Sequence, residues 1–590
     1  MTIDIRTFAW IAAIATIGAR GPAVLADDRA RNAAADAEPI IVGTFPENEA
    51  DIVRLPDGSL KVFYNQRGEY VGSISSADDG RTWSAPRREF AVTGETAHAV
   101  QVLLDRRGEL HVFYLVITRG GRRLGVDLFL DLWTCRTTGG RATWGEPHLA
   151  YHGAVGALRG LVQTRSGRIV VPFSTADPDR KAGPPTGNFY TTAVFSDDDG
   201  ATWRRSESRL TAPCFEGYNG GNYGAVEPTV VELTDGRLWM LIRTQTGRLY
   251  ESYSADDGAT WSPAKPSRFY GSNSPAMLRR LDDGRLLLAW NNAQIGPRYE
   301  GQGVYGGRDA LHVALSADDG RTWRGFREAY RDPTRHGAGP VLRNDRGTAY
   351  PDAVQAADGA VVLVTGQGEG RRAIVRFRPE WLTAARRDGE VSTGGDDWTA
   401  FQDVGPAQRF YRARREGGMI AAHPNDSARR VLSIGRRDAE PPAGAVWNFP
   451  AGRRGTLTLV FHVAPGFGGG SVSLGNRMFA PTDDAARTEA LFSFDFHGDD
   501  ASSSATASES TPLAVGRHEL VLIWDVDAKR CRAVLDGRTL PAATLRAPAD
   551  VADDPAPPTF GPSYLAIRSS AREIDRFGWM IERTSVEVEP

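Results

Sequence analysis

The sequence predicts an all-β protein in which a six-bladed β-propeller is followed by a β-sandwich. Three observations support this fold class. An eight-residue motif recurs with a period near 60 residues, a hairpin signal precedes each copy, and the pattern ends near residue 385. A chain of 590 residues is also too long for one ordinary domain.

The repeated motif has the form S-x-D-x-G-x-T-W. It begins at Ser76, Ser196, Ser254 and Ser316, and the long first gap holds a degenerate copy, RTTGGRATW, at 136–144. A regular period of this length is typical of stacked or radially arranged copies of one unit. A long β-sandwich, the competing interpretation, would not require such a period.

Six hairpin signals set the number of blades. Each is a short apolar run, a turn that ends in glycine, and a second apolar run. The six are DIVRLPDGSLKVFY, AVQVLLDRRGELHVFYL (with one inserted residue), GLVQTRSGRIVVPF, PTVVELTDGRLWMLIR, PAMLRRLDDGRLLLAW and DAVQAADGAVVLVTG, the last with no motif after it. Six hairpins, each followed by further strand-like sequence, predict six four-stranded blades.

The repeated motif itself is interpreted as a structural fastener. Its Ser and Asp can bond to turn backbone, its Gly can take positive φ, and its Trp can pack between sheets. A calcium loop of this appearance would need Glu six residues after the Gly. That position holds Pro86, Ser206, Ala264 and Phe326 in the four copies, so we expect no metal there and no cofactor.

Composition and the N-terminus limit the functional classes. The net charge is -3 and basic residues are spread along the chain, so nucleic acid is not an expected partner. Three cysteines, Cys135, Cys214 and Cys531, are too few for a disulfide framework. Arg6, the apolar run at 8–19 and the VLA site at 24–26 predict a signal peptide over 1–26. We therefore expect a secreted or periplasmic protein that does not span a membrane.

The domain boundaries follow from where the repeat stops. We expect the propeller at 38–384, a polar, Gly-rich linker at 385–398 and a sandwich at 399–590. The long hairpin GRHELVLIWDVDAKRCRAVLDGRTL resembles laminin-G or concanavalin-like sandwiches. Such domains often bind glycans, and many are only spacers or packing partners.

The turn glycines of the hairpins locate a candidate site. Nine residues before the glycine, the innermost strand begins, and seven residues after it the second strand returns to the same end. The third strand of a blade also starts at that end. These positions hold Glu49, His98, Glu227, Arg243, Arg308 and Tyr350, which we expect to converge at one mouth of the central channel. The repeated motifs close the turns at the opposite end.

The repeated motif resembles the Asp-box of sialidases and other BNR-repeat proteins, and the likeness covers about residues 40–380. AVEPTVVEL resembles the sialidase strand whose glutamate pairs with the nucleophile, which implies that role for Glu227. LIRT and GGRDALHVALS resemble the segments that carry the second and third arginines of a carboxylate-binding triad, here Arg243 and Arg308. GTAYPDAV resembles the segment of the nucleophilic tyrosine, here Tyr350.

The resemblance implies a sialidase-type exo-glycoside hydrolase that removes terminal, acidic sugars from glycans by a retaining mechanism. A phenol with a pKa near 10 becomes a nucleophile when a carboxylate takes its proton. Two arginines can bind a substrate carboxylate in bidentate fashion.

The first blade departs from the sialidase pattern. Glu49-Ala50-Asp51 stands where sialidases have Arg-Ile-Pro, and the short connection QRGEY at 66–70 lacks their acid/base aspartate. Either Glu49 or Asp51 is the acid/base of an altered glycosidase, or the sugar is not an ordinary sialic acid. The rival functions are a non-catalytic glycan-binding propeller and a lyase or other glycosidase on the same scaffold.

Several further residues are candidates by a weaker match to the strand register, and others have a structural role as the alternative. Candidate sugar contacts near the same mouth are His98, Asp127, Arg159 and Asn273. Tyr350 could instead be a channel-lining aromatic residue, and Glu227 with Arg243 a buried ion pair that supports the propeller. His111 and His312 lie inside strands and are interpreted as structural.

Overall fold

The computed structural model describes most of the chain beyond residue 37. The described residues are 38–47, 49–66, 69–92, 94–121, 124–140, 143–176, 189–213, 224–299, 302–337, 347–391, 397–408, 411–498, 510–546 and 560–589. The predicted signal peptide lies outside them. No helix among the described residues is long and apolar enough to cross a membrane.

The propeller strands follow the hairpin signals. In chain order they are β1 (Ile40–Gly43), β2 (Asp51–Arg54), β3 (Leu60–Gln66), β4 (Tyr70–Ser76), β5 (Arg87–Ala91), β6 (Thr96–Leu104), β7 (Leu110–Arg119), β8 (Phe129–Thr138), β9 (Thr143–Trp144), β10 (His148–Tyr151), β11 (Val155–Leu158), β12 (Val162–Gln163), β13 (Ile169–Ala176), β14 (Phe189–Ser196), β15 (Arg204–Arg205), β16 (Val226–Glu232), β17 (Leu238–Arg243), β18 (Arg248–Ser254), β19 (Lys265–Tyr270), β20 (Met277–Arg280), β21 (Leu286–Trp290), β22 (Ala293–Tyr299), β23 (Gln302–Gly306), β24 (Ala310–Ser316), β25 (Arg324–Arg331), β26 (Asp352–Gln355), β27 (Val361–Thr365) and β28 (Ala373–Phe377).

These strands form six antiparallel sheets, which confirms the six-bladed prediction. The sheet orders are β2-β3-β4-β5, β6-β7-β8-β10, β11-β13-β14-β15, β16-β17-β18-β19, β20-β21-β24-β25 and β26-β27-β28-β1. In the third blade the innermost strand is split into β11 and β12, which both pair with β13.

The ring is closed by the first strand of the chain. β1 pairs antiparallel with β28, with Ile40 opposite Arg376. The N-terminal strand therefore supplies the outer edge of the sixth blade. This explains why the sixth hairpin signal has no motif after it: its fourth strand comes from the other end of the propeller sequence.

Each of the four full motifs forms the same hydrogen-bonded turn. In the first, the Asp78 carboxylate accepts bonds from Thr82 N at 2.9 Å and Thr82 Oγ1 at 2.6 Å, while Ser76 Oγ accepts from Gly80 N at 2.9 Å. The motif tryptophans reach the preceding blade, since Trp203 packs edge-on against Phe113 with ring centroids 5.5 Å apart. These contacts support the fastener interpretation.

The C-terminal part is a β-sandwich preceded by one short helix. Its elements are α1 (Glu380–Thr383), β29 (Arg386–Glu390), β30 (Trp398–Gln408), β31 (Tyr411–Glu416), β32 (Met419–His423), β33 (Asp426–Arg436), β34 (Gly444–Asn448), β35 (Arg454–Val463), β36 (Gly470–Gly475), β37 (Met478–Phe479), α2 (Ala485–Thr488), β38 (Phe492–Gly498), β39 (Thr511–Leu513), β40 (Gly516–Asp525), β41 (Arg530–Leu535), β42 (Arg538–Thr539), β43 (Ala543–Thr544), β44 (Tyr564–Ser569) and β45 (Asp575–Val588).

Two sheets enclose the sandwich core. Within the described residues one has the order β32-β33-β45-β35-β40-β41-β42, and the other β31-β30-β34-β44-β36-β38-β39. Four fully buried tryptophans fill the space between them: Trp398, Trp447, Trp524 and Trp579. The predicted sandwich is thus present, and its likeness to laminin-G domains stays a prediction.

The predicted linker contains sandwich structure. β29 pairs antiparallel with β45, from Arg386 opposite Glu587 to Glu390 opposite Arg583. Arginine and glutamate lie opposite each other at both ends of this ladder, and such cross-strand charge pairs favour pairing. The sandwich therefore begins near residue 386, inside the range predicted for the linker.

The sandwich docks on the fifth blade. β22 pairs parallel with β37, with Ala293 opposite Met478. Ala293 and Ile295 of the propeller share one apolar cluster with Phe401 and Tyr564 of the sandwich. The two domains consequently share buried surface next to the strands that carry the candidate site.

Candidate active site

Three candidate residues occupy the same position in three blades. Glu49, Glu227 and Tyr350 each stand just before or at the start of an innermost strand, nine residues before the turn glycine. All three have left-handed backbone conformations, with φ of 61°, 49° and 59°. Such conformations cost about 1–3 kcal/mol each for a residue with a side chain. Their recurrence indicates that the blades present these side chains in one way.

Tyr350 and Glu227 come together across the channel mouth. Tyr350 Oη donates a hydrogen bond of 3.1 Å to Glu227 Oε1. Arg243 Nη1 donates to Glu227 Oε2 at 2.5 Å and lies 3.5 Å from Tyr350 Oη. Arg243 reaches this pair because β17 returns antiparallel to β16, which sets Val226 opposite Arg243.

Asn273 and Arg308 complete the cluster on the side of the fifth blade. Arg243 Nε donates to Asn273 Oδ1 at 2.7 Å, and Arg308 Nη2 donates to the carbonyl of Asn273 at 3.2 Å. Arg308 Nη1 also donates to Gln367 Oε1 at 2.8 Å. Asn273 thus fixes the spacing of two guanidinium groups.

A third arginine lies against the tyrosine ring. The Cζ atom of Arg159 is 4.8 Å from the centroid of the Tyr350 ring, and Cζ of Arg308 is 5.4 Å from it. Arg159 occupies the break between β11 and β12. The candidate site therefore gathers three guanidinium groups around one phenol.

Burial and charge set the protonation of the central pair. Burial alone would raise the pKa of Glu227, but the charge and hydrogen bond of Arg243, with Arg308 and Arg159, outweigh it and lower the pKa. Burial, together with the charges of Glu227 and Glu49, raises the pKa of the Tyr350 phenol above its ordinary value. In the free protein the pair is a neutral phenol bonded to a carboxylate.

Glu49 lies close enough to Tyr350 to act on it electrostatically. Glu49 is 5% exposed. Among the described residues, its carboxylate makes no hydrogen bond or ion pair that would fix it away from Tyr350. A carboxyl group next to the phenol and without a fixed partner can exchange a proton with a ligand.

The position of Asp51 does not suit an acid/base role. Its carboxylate accepts a bond of 2.6 Å from Val102 N, and Arg279 Nη2 lies 3.8 Å away. Burial, and then the charge of the neighbouring Asp352, raise the pKa of Asp51 well above its ordinary value. Among the described residues its contacts are with the channel wall, and none reaches Tyr350 or Glu227. Asp51 follows Glu49 by two residues, so it lies roughly 7 Å deeper along the strand.

The remaining predicted residues have mixed placements. The side chain of His98 lies outside the described residues. Asp127 is half-buried in the turn between β7 and β8, at the mouth end of the second blade. His111 bonds to Asp105 at 3.0 Å, and His312 contacts Tyr564 of the sandwich, in keeping with their structural interpretation.

Sequence reasoning missed Gln367 and the sandwich contacts. Gln367 lies one residue beyond the slot that gives Arg243 in the fourth blade, so the glycine register could have found it. Asp309, next to Arg308, forms a buried ion pair of 2.6 Å with Arg414 of β31. No local signal links Arg414 to the propeller, because the pair is separated by 105 residues.

One cluster among the described residues has metal-like spacing, but its chemistry does not fit a metal. The Nε2 atoms of His423 and His462 lie 3.5 Å and 3.2 Å from Glu582 Oε2. Asn425 N donates to His423 Nδ1, so the neutral ring carries its proton on Nε2, where a metal would need a lone pair. Arg429 Nη2 is 2.5 Å from the other carboxylate oxygen. The arrangement is better described as an ion-pair network.

Part of the chain is similar in sequence to known proteins. Residues 93–363 match the BNR repeat-like domain. A sialidase from Micromonospora viridifaciens is 24% identical over 313 residues, which span 45% of this chain and 44% of that protein. The chain thus spans less than half the length of this relative.

Solved structures with similar architecture are distant in sequence. A protein of unknown function from Dyadobacter fermentans is 18% identical, with a TM-score of 0.41 over 57% of this chain and 96% of that chain. A Trypanosoma rangeli sialidase mutant displaying trans-sialidase activity is 14% identical, with a TM-score of 0.39 over 94% of both chains. Residues 93–363 of this chain therefore carry a BNR repeat-like domain, within a propeller of six blades of which four carry the full Asp-box motif.

Proposed function

We propose that this protein is an exo-acting glycoside hydrolase that removes terminal, acidic sugars from glycans with retention of configuration. The observation that carries the proposal is the hydrogen bond from Tyr350 Oη to Glu227 Oε1, with Arg243 bonded to the same carboxylate. A tyrosine paired with a carboxylate is the nucleophile arrangement of the sialidase exception among glycosidases.

The first step makes a glycosyl–tyrosine bond. Tyr350 Oη attacks the anomeric carbon and passes its proton to Glu227, while the bond to the leaving oxygen breaks and Glu49 protonates that oxygen. In the second step Glu49 takes a proton from water, which attacks the anomeric carbon and releases Tyr350 as its phenol, the proton returning from Glu227. Atoms and charge balance over the cycle.

The raised pKa of Tyr350 and the lowered pKa of Glu227 make this proton transfer uphill in the free protein. Positive charge develops on the sugar ring in an oxocarbenium-like transition state, and that charge favours the phenolate. The pair is therefore suited to give up its proton as the glycosidic bond breaks rather than before it.

The arginines favour a sugar with an acidic group, and Glu49 restricts where that group can lie. Arg243 and Arg308 are held 2.7 Å and 3.2 Å from the two oxygens of Asn273, so their positions are fixed before a ligand arrives. In its ionised form, Glu49 would repel a carboxylate placed beside it. The acidic group of the substrate should therefore bind on the Arg243–Arg308 side of Tyr350.

We also propose that the protein is exported and that the sandwich increases affinity for polymeric glycans. The sequence at 1–26 supports export, and two linked binding modules raise apparent affinity for a polymer. Mass spectrometry of the mature N-terminus after expression with the native leader tests the first proposal, with cleavage expected before Asp27.

Covalent trapping tests the mechanism. The full chain is assayed with nitrophenyl glycosides that include a sialoside, uronides and neutral hexosides, and the preferred sugar is then supplied with fluorine next to the anomeric carbon. We expect hydrolysis of an acidic glycoside and a glycosyl adduct on the peptide that holds Tyr350. Hydrolysis with the adduct on Glu49 or Glu227 would replace the tyrosine mechanism, and absence of turnover with all substrates would favour the glycan-binding alternative.

A further inference from the structure

Below the candidate site, a cavity of about 730 Å³ follows the innermost strands of the propeller. Six arginines line it against three carboxylates, so its wall is positively charged. Three of these arginines are paired across blades: Arg54 with Asp282, Arg165 with Glu232, and Arg279 with Asp352. Such pairs hold different blades together and need no ligand.

Arg159 is different from the others. It is 3% exposed, and neither Nη1 nor Nη2 has a hydrogen-bond partner among the described residues. Its guanidinium contacts the face of the Tyr350 ring, a contact that engages the π-system and leaves the N–H groups free. A buried cation without hydrogen bonds is strongly unfavourable, so buried charges in proteins are normally paired.

The backbone around Arg159 holds it in this position. The innermost strand of the third blade breaks between β11 and β12, and Gly160 in the break has φ of 87°. Gly160 N donates to Gln101 Oε1 of the second blade, and a Cβ at Gly160 would lie 2.7 Å from Thr229 Oγ1 of the fourth. The break is thus wedged between two blades, which keeps the guanidinium at the head of the cavity.

We propose that Arg159 anchors an anion-binding site at the head of the channel, beneath Tyr350, that takes a small oxyanion. Two adjacent oxygens of a carboxylate or phosphate group match the two unpartnered nitrogens of a guanidinium in bidentate geometry. The positive lining of the cavity favours entry of an anion over a neutral ligand. The proposal concerns binding alone and does not depend on the glycosidase proposal.

An anion bound to Arg159 would change the electrostatics of the candidate site. The charge of Arg159 helps to lower the pKa of Glu227, and an oxyanion paired with the guanidinium offsets that charge. An anion in the channel site therefore reduces the lowering of the Glu227 pKa, without contacting Glu227 itself.

The test uses inorganic phosphate and the full chain. Thermal unfolding is followed at pH 7 while sodium phosphate is added at constant ionic strength against sodium chloride. We expect a saturable rise in melting temperature of about 2–4 °C for the wild type, because a ligand that binds only the folded state stabilises it. Arg159→Met, which keeps the aliphatic stem and removes the buried charge, should lose this rise and be at least as stable as the wild type without phosphate.

Arg106→Gln is the matched control. Arg106 lines the same cavity but is exposed at its far end, so this variant removes one channel charge and keeps Arg159. Retention of the rise in Arg106→Gln with loss in Arg159→Met supports the site. An equal rise in all three proteins, or an equal loss in both variants, overturns it, because the effect would then come from general salt or general charge. If Arg159→Met does not fold, Arg159→Lys serves instead, and an undiminished rise there overturns the bidentate site.

Discussion

At the scale of single residues, the chemistry depends on Glu227 holding two different partners. One carboxylate oxygen accepts from Arg243 and the other from Tyr350. The left-handed backbone at Glu227 and at Tyr350 brings these side chains to one mouth from the fourth and sixth blades. The local strain is offset by the strands that follow each residue and pair regularly with their neighbours.

Replacing Glu227 should reduce both the turnover rate and the stability of the fold. Glu227→Gln keeps an acceptor for Arg243 but removes the base, so we expect kcat to fall about 10²–10⁴-fold. The buried Arg243 also loses its counter-charge, so the melting temperature should fall. Glu251→Gln is the control, since Glu251 accepts a similar bond of 3.2 Å from Tyr253 in the outer part of the same blade. Equal losses of activity in the two variants would contradict the assignment.

Replacing Glu49 should reveal its role through the leaving group. In Glu49→Gln the leaving oxygen can no longer be protonated from this position. We therefore expect a larger loss of kcat/KM for alkyl glycosides and disaccharides than for nitrophenyl glycosides, which need little protonation. The measurement is a comparison of kcat/KM across leaving groups of rising pKa. Equal losses for all leaving groups would remove Glu49 from the acid/base role.

At the scale of elements, the turn glycines explain how much of the site could be predicted. A fixed offset from the hairpin turn gave Glu49, Glu227, Arg243 and Tyr350, because strand length and antiparallel return fix which end a residue reaches. The same rule could not exclude Asp51, which lies on the same face of its strand as Glu49 but two residues deeper. The register alone does not show which of these two depths meets Tyr350, because that depends on how the blades tilt around the axis.

The Asp-box turns should contribute stability and no catalysis. In Asp318→Ala the carboxylate that accepts from Thr322 N at 2.8 Å and Thr322 Oγ1 at 2.7 Å is lost. We expect the melting temperature to fall by about 1–3 °C with unchanged kcat/KM, since the turn lies at the end of the blade away from Tyr350. Loss of turnover without loss of stability would contradict this placement.

The same turn gives a pH dependence of known sign. Partial burial alone would raise the pKa of Asp318, but the bonds from Thr322 and Ser316 outweigh it and lower the pKa. A lowered pKa means that the carboxylate stabilises the fold above the unfolded value of about 3.9 and loses this effect as pH falls below it. The difference in melting temperature between wild type and Asp318→Ala should therefore shrink between pH 5 and pH 2. A difference that stays constant would show that the carboxylate charge is irrelevant.

At the scale of the whole molecule, the sandwich supports the side of the propeller that carries Arg308. Arg414 of the sandwich pairs with Asp309, and Tyr564 donates to Glu328 of the fifth blade at 2.6 Å. All four residues are buried. The repeat pattern that predicts a propeller at 38–384 could not reveal these contacts, because they join distant segments and leave no periodic signal. A chain that ends near residue 384 would expose this surface, and we expect it to be less stable than the full chain.

The Arg414–Asp309 pair offers a sharper test of this coupling. Arg414→Met removes the buried counter-charge of Asp309, and removal of one member of a buried ion pair costs about 3–5 kcal/mol. The double variant Arg414→Met/Asp309→Asn should recover part of the lost stability in chemical denaturation. Additive losses in the double variant would mean that the two residues act separately.

The central claim is that Tyr350 forms the bond to the sugar, and the activity of Tyr350→Phe tests it most directly. The change removes one oxygen and keeps the ring between Arg159 and Arg308, so the variant should fold with a melting temperature close to that of the wild type. Tyr253→Phe, which removes the other tyrosine–glutamate bond of the propeller described above, is the control and should keep full activity. With the preferred nitrophenyl glycoside, we expect kcat of Tyr350→Phe to fall by at least about 10²-fold. Wild-type kcat in folded Tyr350→Phe would contradict the account.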